Sequence, residues 1–285
     1  MRSIDAESDR PLRTLIHRLA AAPISIAILW PVFLMLGGYL LWRYWGVEHV
    51  GRRFENVAME NIEVTPPPPH IRSDIVDRVY EDTAMNGLSL MDPAAASKVA
   101  HAFSMHPWVR RVSSVRKLAG GKLDVRVQYR TPVAMARVYR AEYLDDERHF
   151  LPIDDEGVLL PSDDFPRSEI PNFLHIEIPG ADSNSRPGSA FGDPRVEAAA
   201  QLAAFLAPHR ENQAIERIST IPEDRFRSGR VRLVIYDRLE REIVWGSPPG
   251  EELPGEATAS VKLQRLLSMK SREGASVQPA TVRLD

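Results

Sequence analysis

The chain has no cysteine, so it can form neither a disulfide nor a thiolate metal site. That absence does not fix a redox compartment, since cysteine-free proteins occur in oxidising ones too. An excess of one charge is also missing. Its 36 Lys+Arg and 39 Asp+Glu leave a formal net charge of −3, too little to hold a nucleic acid by bulk electrostatics. Phosphate-cradling and nucleophile motifs are absent as well: there is no P-loop, no GxGxxG and no GxSxG. The 8 histidines (His17, His49, His70, His101, His106, His149, His175 and His209) are scattered without HExxH spacing. Ser268 and Lys270 lie two apart on an expected helix and point in different directions, which excludes a Ser-Lys dyad. No repeat at a fixed period is present. These absences leave no expected catalytic residue, metal, cofactor or small-molecule substrate.

What the chain does have is one long apolar run. Residues 20–42 carry no formal charge, and Trp42, Tyr44 and Trp45 follow at the end where amphipathic rings favour a headgroup boundary. The run is long enough to cross a hydrocarbon core of roughly 30 Å as a helix. A cleaved signal peptide has a shorter apolar core and a small-x-small exit, whereas this run leaves through Arg43, Tyr44 and Trp45. It reads as a retained anchor over residues 20–45, behind a cytoplasmic tail of residues 1–19. Arginines flank both ends, so size decides the orientation: the long C-terminal portion is expected outside the cytoplasm.

Past the anchor, residues 52–131 read as a β-α-α-β-β unit. Val57 to Val64 suits a first strand, and Pro66 to Pro69 make a stiff, extended spacer. Ile71, Ile75, Val76 and Val79 mark a helix opened by Ser73. Asp92-Pro93 opens another, with Ala95, Val99, Ala102 and Phe103 on one face. Trp108 to Lys117 is strand-like, Gly120-Gly121 suits a tight hairpin, and Leu123, Val125, Val127 and Tyr129 alternate with polar residues. An arrangement of this kind resembles a POTRA domain, a module that binds polypeptides and does no chemistry. Trp108 reads as a core anchor, while Arg110, Arg111, Arg116 and Lys117 read as a solvated strand face. His101 and His106 read as surface or boundary residues.

Residues 132–285 read as a mixed β-sheet domain with two helices, which makes the whole α+β. Asp193-Pro194 opens a helix with Val196, Ala199, Leu202, Ala203 and Leu206 on its apolar side. Strands are expected at 215–221, 230–236 and 242–245, a last helix at 256–269 and a closing strand at 277–284. Gly180 to Gly192, rich in Gly, Ser, Asn and Pro, reads as a flexible loop. The acidic tract Asp145-Asp146-Glu147, Asp154-Asp155-Glu156 and Asp163-Asp164 lacks EF-hand spacing and reads as solvated loop surface.

In this order the chain resembles the FtsQ/DivIB family of bacterial cell-division proteins. His106-Pro107-Trp108-Val109 is similar to the family's Pro-Trp-Val motif, and Arg130-Thr131-Pro132-Val133-Ala134 to its Arg-x-Pro-Val-Ala exit from the POTRA domain. Asp155-Glu156-Gly157-Val158 is similar to its Asp-x-x-Gly turn. Trp245-Gly246, Lys262-Leu263-x-x-Leu266-Leu267 and Thr281-Val282-Arg283-Leu284 are similar to its closing strand, helix and strand. One departure is an extra serine, Ser113-Ser114, which implies a bulge or register shift.

The resemblance implies a non-enzymatic scaffold of the divisome in the cell inner membrane, supporting septal cell-wall synthesis. The implied partners are an FtsB/DivIC-like and an FtsL-like coiled-coil protein, one adding a strand to the sheet edge. That edge would be Thr281, Val282, Arg283 and Leu284, one residue before Asp285. The alternative is an ordinary closing strand packed on its neighbour. At the level of function, the alternative is a POTRA-bearing assembly or secretion component unrelated to division. Pro107, Trp108 and Val109 are expected to be structural.

Overall fold

The computed structural model describes residues 30–46, 57–83, 85–138, 149–209, 215–221, 230–272 and 282–284. The protein is α+β, with two mixed sheets and several helices. Helix α1 (30–41) runs into a π-helical turn at Trp42–Gly46. Trp30, Phe33, Leu34, Met35, Leu40 and Leu41 are all exposed on it. Among the described residues no helix is long and apolar enough to cross a membrane. The expected anchor begins ten residues earlier, and residues 1–29 lie outside the described residues.

The first sheet is built from β1 (Ile62–Val64), β2 (Val109–Lys117) and β3 (Leu123–Tyr129), in the order β1-β3-β2. β1 runs parallel to β3 and β2 antiparallel to it. Helices α2 (Ile75–Asp82) and α3 (Ala95–Ser104) lie between β1 and β2 in the chain. Alternation in β3 buries Leu123, Val125 and Val127 against Ile75, Val79, Val99 and Phe103 of the helices. The register slips between Val112 and Ser114, where the additional serine implies it.

Two helix starts differ from expectation. The cap of α2 is Asp74, whose carboxylate accepts from the Asp77 N–H; Ser73 is occupied elsewhere. Asp92 accepts from the Ala94 N–H at 2.8 Å, so Asp92-Pro93 forms a turn and the helix begins at Ala95. The first strand is also shorter, because Met59–Asn61 form a 3₁₀ turn.

The second sheet has seven strands: β4 (Ala134–Val138), β5 (His149–Ile153), β6 (Leu174–Ile176), β7 (Ile215–Thr220), β8 (Leu233–Asp237), β9 (Glu242–Gly246) and β10 (Val282–Arg283). Their order is β10-β9-β8-β7-β6-β4-β5. The β4-β6, β6-β7 and β10-β9 pairs are parallel and the remainder antiparallel. Helices α4 (Pro194–Leu206) and α5 (Ala259–Arg272) supply Val196, Ala199, Leu202, Ala203, Leu206 and Leu266 to a core shared with Ile218, Ile235 and Trp245. Asp193 caps α4 and proline takes its first position, as its sequence requires. The Gly180–Gly192 segment is packed down: Ala181, Ser183 and Phe191 are buried, and the Gly188 N–H donates to the Leu159 carbonyl at 2.7 Å.

Candidate functional site: the C-terminal sheet edge and the joint between the sheets

β10 is the outermost described strand on its side of the second sheet. Val282 pairs with Ile243 and Arg283 with Val244. The Leu284 N–H donates to the Val244 carbonyl at 3.0 Å, and the Leu284 side chain, 1% exposed, joins the helix-side core. From α5, the Arg265 guanidinium donates to the Leu284 carbonyl at 2.7 Å. Strand alternation puts Val282 and Leu284 on the core side and Arg283 on the other face, where it is exposed. Of the four residues expected at the edge, Val282 and Arg283 form the strand, Leu284 anchors it, and Thr281 lies outside the described residues.

Behind this edge sits a buried ion pair. Lys262, on the apolar face of α5, is 0% exposed and reaches the Glu256 carboxylate at 2.5 Å. The same carboxylate accepts from the Ser247 N–H, the Ser247 hydroxyl and the Leu253 N–H. Burial alone would raise the Glu256 pKa. These donors outweigh it and hold the carboxyl at about 2. The ammonium also lies 5.5 Å from the centre of the Trp245 ring.

The second concentration of polar groups is at the joint between the sheets. Trp108 is fully buried, as expected of a core anchor. Its indole N–H donates to Asp164 at 2.6 Å. Asp164, 4% exposed, also accepts from the Ser73 N–H, the Ser73 hydroxyl and the Arg72 N–H. Arg130 reaches Asp154 at 2.5 Å and Glu156 at 2.8 Å, and Arg110 reaches Asp155 and Glu156. Hydrogen bonds from Arg130 and then Arg110 hold the Glu156 carboxyl below its usual range.

These contacts correct two sequence readings. Asp154 and Asp164 are buried rather than solvated, and Arg110 is an ion-pair partner rather than part of a free strand face. Arg111 and Arg116 are exposed, and the Lys117 ammonium donates to the Leu90 and Asp92 carbonyls. Asp145, Asp146 and Glu147 lie outside the described residues. His106 is buried, accepting from the Trp108 N–H at 3.3 Å; His101 is exposed.

A cavity of about 650 Å³ beside the joint is lined by Met135, Phe150, Phe165, Ile170 and Asp163. Among the described residues no group of three or more His, Cys, Asp or Glu is placed to hold a metal ion. Comparison of the chain with protein-family models and with curated proteins finds no match to either.

Proposed function

We propose that the chain is a non-enzymatic, membrane-anchored scaffold of the bacterial cell-division complex, with a POTRA-like first unit and a C-terminal sheet edge as its binding surfaces. The observation that carries this reading is the place of β10, the last described strand on its side of a seven-stranded sheet. It is two residues long and fastened from behind by Leu284 and Arg265. A fastened outer strand is a template on which an extended segment of a partner adds through main-chain hydrogen bonds. The order β1-α2-α3-β2-β3 ahead of it supports the POTRA-like assignment. The exposed apolar side chains of α1 support an anchor at residues 20–45, because water does not stabilise a helix that is greasy all round. The partners are an FtsB/DivIC-like and an FtsL-like coiled-coil protein. The tail lies in the cytoplasm and the bulk outside it.

The test is a pull-down from membranes of dividing cells with the full-length chain as bait, compared with a chain lacking residues 277–285. Recovery of a coiled-coil division protein that is lost on truncation supports the reading. Recovery of transport components, or equal recovery with both baits, overturns the proposed process or the proposed edge respectively.

A further inference from the structure

We propose that the joint between the two sheets is a lock and not a hinge, so that the first unit and the seven-stranded sheet move as one rigid body. Interfaces between units of one chain are by default small and polar, and relative motion is the expectation. Here the apolar core of the first unit is completed by the second: Met135, Leu160 and Phe165 are buried in one cluster with Trp108, Phe103 and Val125. Separating the units would expose Trp108 to water.

The polar contacts fix the angle that the apolar ones leave open. Asp164 takes four hydrogen bonds from Arg72, Ser73 and Trp108, all in the first unit, which fills the acceptor sites of a carboxylate. On a different element, Asp154, 0% exposed, accepts from Arg130 through one oxygen and from the Glu156 and Val158 N–H groups through the other. Rotation about the joint strips Asp164 of all four donors and takes Arg130 from Asp154, which keeps only the Glu156 and Val158 N–H groups. Either loss leaves a buried carboxylate under-satisfied, which is costly.

The connection itself has no slack. The Arg130 N–H donates to the Trp108 carbonyl in the first unit, and the Val133 N–H to the Ile153 carbonyl in the second, each at 2.9 Å. Only Thr131 and Pro132 lie between, and proline fixes φ. Backbone also meets backbone across the joint: a Cβ on Gly188 would sit 3.2 Å from Pro107 Cα. This rigidity goes beyond the scaffold reading and holds whatever the edge binds.

The chain's lack of cysteine makes the test direct. Nitroxide labels at Ser97→Cys on α3 and Gln201→Cys on α4, both exposed, report the distance between units by pulsed electron spin resonance on the full-length chain. A single narrow distance distribution is expected. Asp164→Asn combined with Arg130→Gln is expected to widen it about twofold or more, with helix content unchanged by circular dichroism. A broad or multiple distribution in the labelled parent overturns the lock, and so does an unchanged width in a folded double variant. Should the double variant fail to fold, Arg110→Ala, at the solvent side of the same clasp, provides the graded case. The parent's own width decides between lock and hinge in any event, and neither result bears on the pull-down.

Discussion

Glu256→Gln should destabilise the protein far more than Lys262→Met, although each removes one half of the same ion pair. The Lys262 side chain is fully buried and that of Glu256 is 7% exposed. Taking away the carboxylate leaves an ammonium in the core with only a neutral amide beside it, and breaking a buried pair from one side costs about 3–5 kcal/mol. The protonation equilibrium gives a similar figure. A carboxyl held at about 2 against an ordinary 4.5 corresponds to about 3 kcal/mol of preference for the charged form. Removing the lysine has a milder effect. The Glu256 carboxylate keeps the Ser247 N–H at 2.8 Å, the Ser247 hydroxyl at 2.7 Å and the Leu253 N–H at 2.9 Å, while a methionine thioether packs well near the Trp245 ring. Lys262→Met should therefore cost less than about 1.5 kcal/mol. Urea unfolding near neutral pH, followed by tryptophan fluorescence, measures both. The sign with pH is also set. A carboxylate with a lowered folded pKa stabilises fully above 4.5 and loses that contribution as pH falls towards about 2, so the glutamine variant should lack this acid-dependent loss. Equal costs for the two substitutions, or a larger one for Lys262→Met, would refute the reasoning and make the lysine, not the carboxylate, the organising group.

Three further outcomes are expected. Burial, with help from Arg78 and against Asp82 and Asp164, holds the His106 pKa below 6.5. The unfolded chain then takes up a proton that the folded one resists, so stability drops as pH falls below 6.5 towards the folded pKa. Titrating the urea midpoint should show this decline in the parent and not in His106→Gln; an identical decline in both would rule it out. Gly157 has φ +72° and a Cβ there would lie 2.7 Å from Glu197 Cγ and 3.1 Å from its Cα, so Gly157→Ala should cost about 2 kcal/mol or more in urea unfolding. A cost under about 0.5 kcal/mol would contradict the close approach. Trp108→Phe removes one donor from a buried carboxylate and should cost about 2–3 kcal/mol. Combined with Asp164→Asn it should show a non-additive effect, and simple additivity would deny the contact.

Much of the framework was legible because periodicity reports it. The β3 alternation, the apolar stripes of α3 and α4 and the glycine pair before β3 each carry their own signal, and each lands where expected. Strands β5 and β6 do not: Leu174–Ile176 is too short for alternation to register, and β5 carries an interior proline, Pro152, that argues against a strand. The Gly180–Gly192 segment misled for a different reason: its composition describes backbone freedom, while Phe191 and Ser183 decide its packing. Lys262 had a readable signal. Ala259, Lys262, Leu263 and Leu266 fall at helical spacing on one face, so the lysine interrupts an apolar stripe and asks for a buried carboxylate.

Asp154 and Asp164 were unreadable because their partners are remote: Trp108 is 56 positions from Asp164, and Arg130 is 24 from Asp154. Local density makes such carboxylates look like solvated surface, and only the fold brings the donors. The same geometry bears on what the resemblance can say about function. Pro107-Trp108, Arg130-x-Pro132 and the turn closing at Gly157 are far apart in the chain, yet all three meet at the joint. There they close a core and satisfy buried charge. Residues engaged in that way hold two sheets together, a task that does not itself name a partner. The β10 edge is different, because Arg283 lies on the face away from the core and is exposed. Under the proposed scaffold reading, truncating the edge therefore tests partner binding directly, whereas mutating the Pro-Trp-Val step disturbs the buried joint and reports on stability.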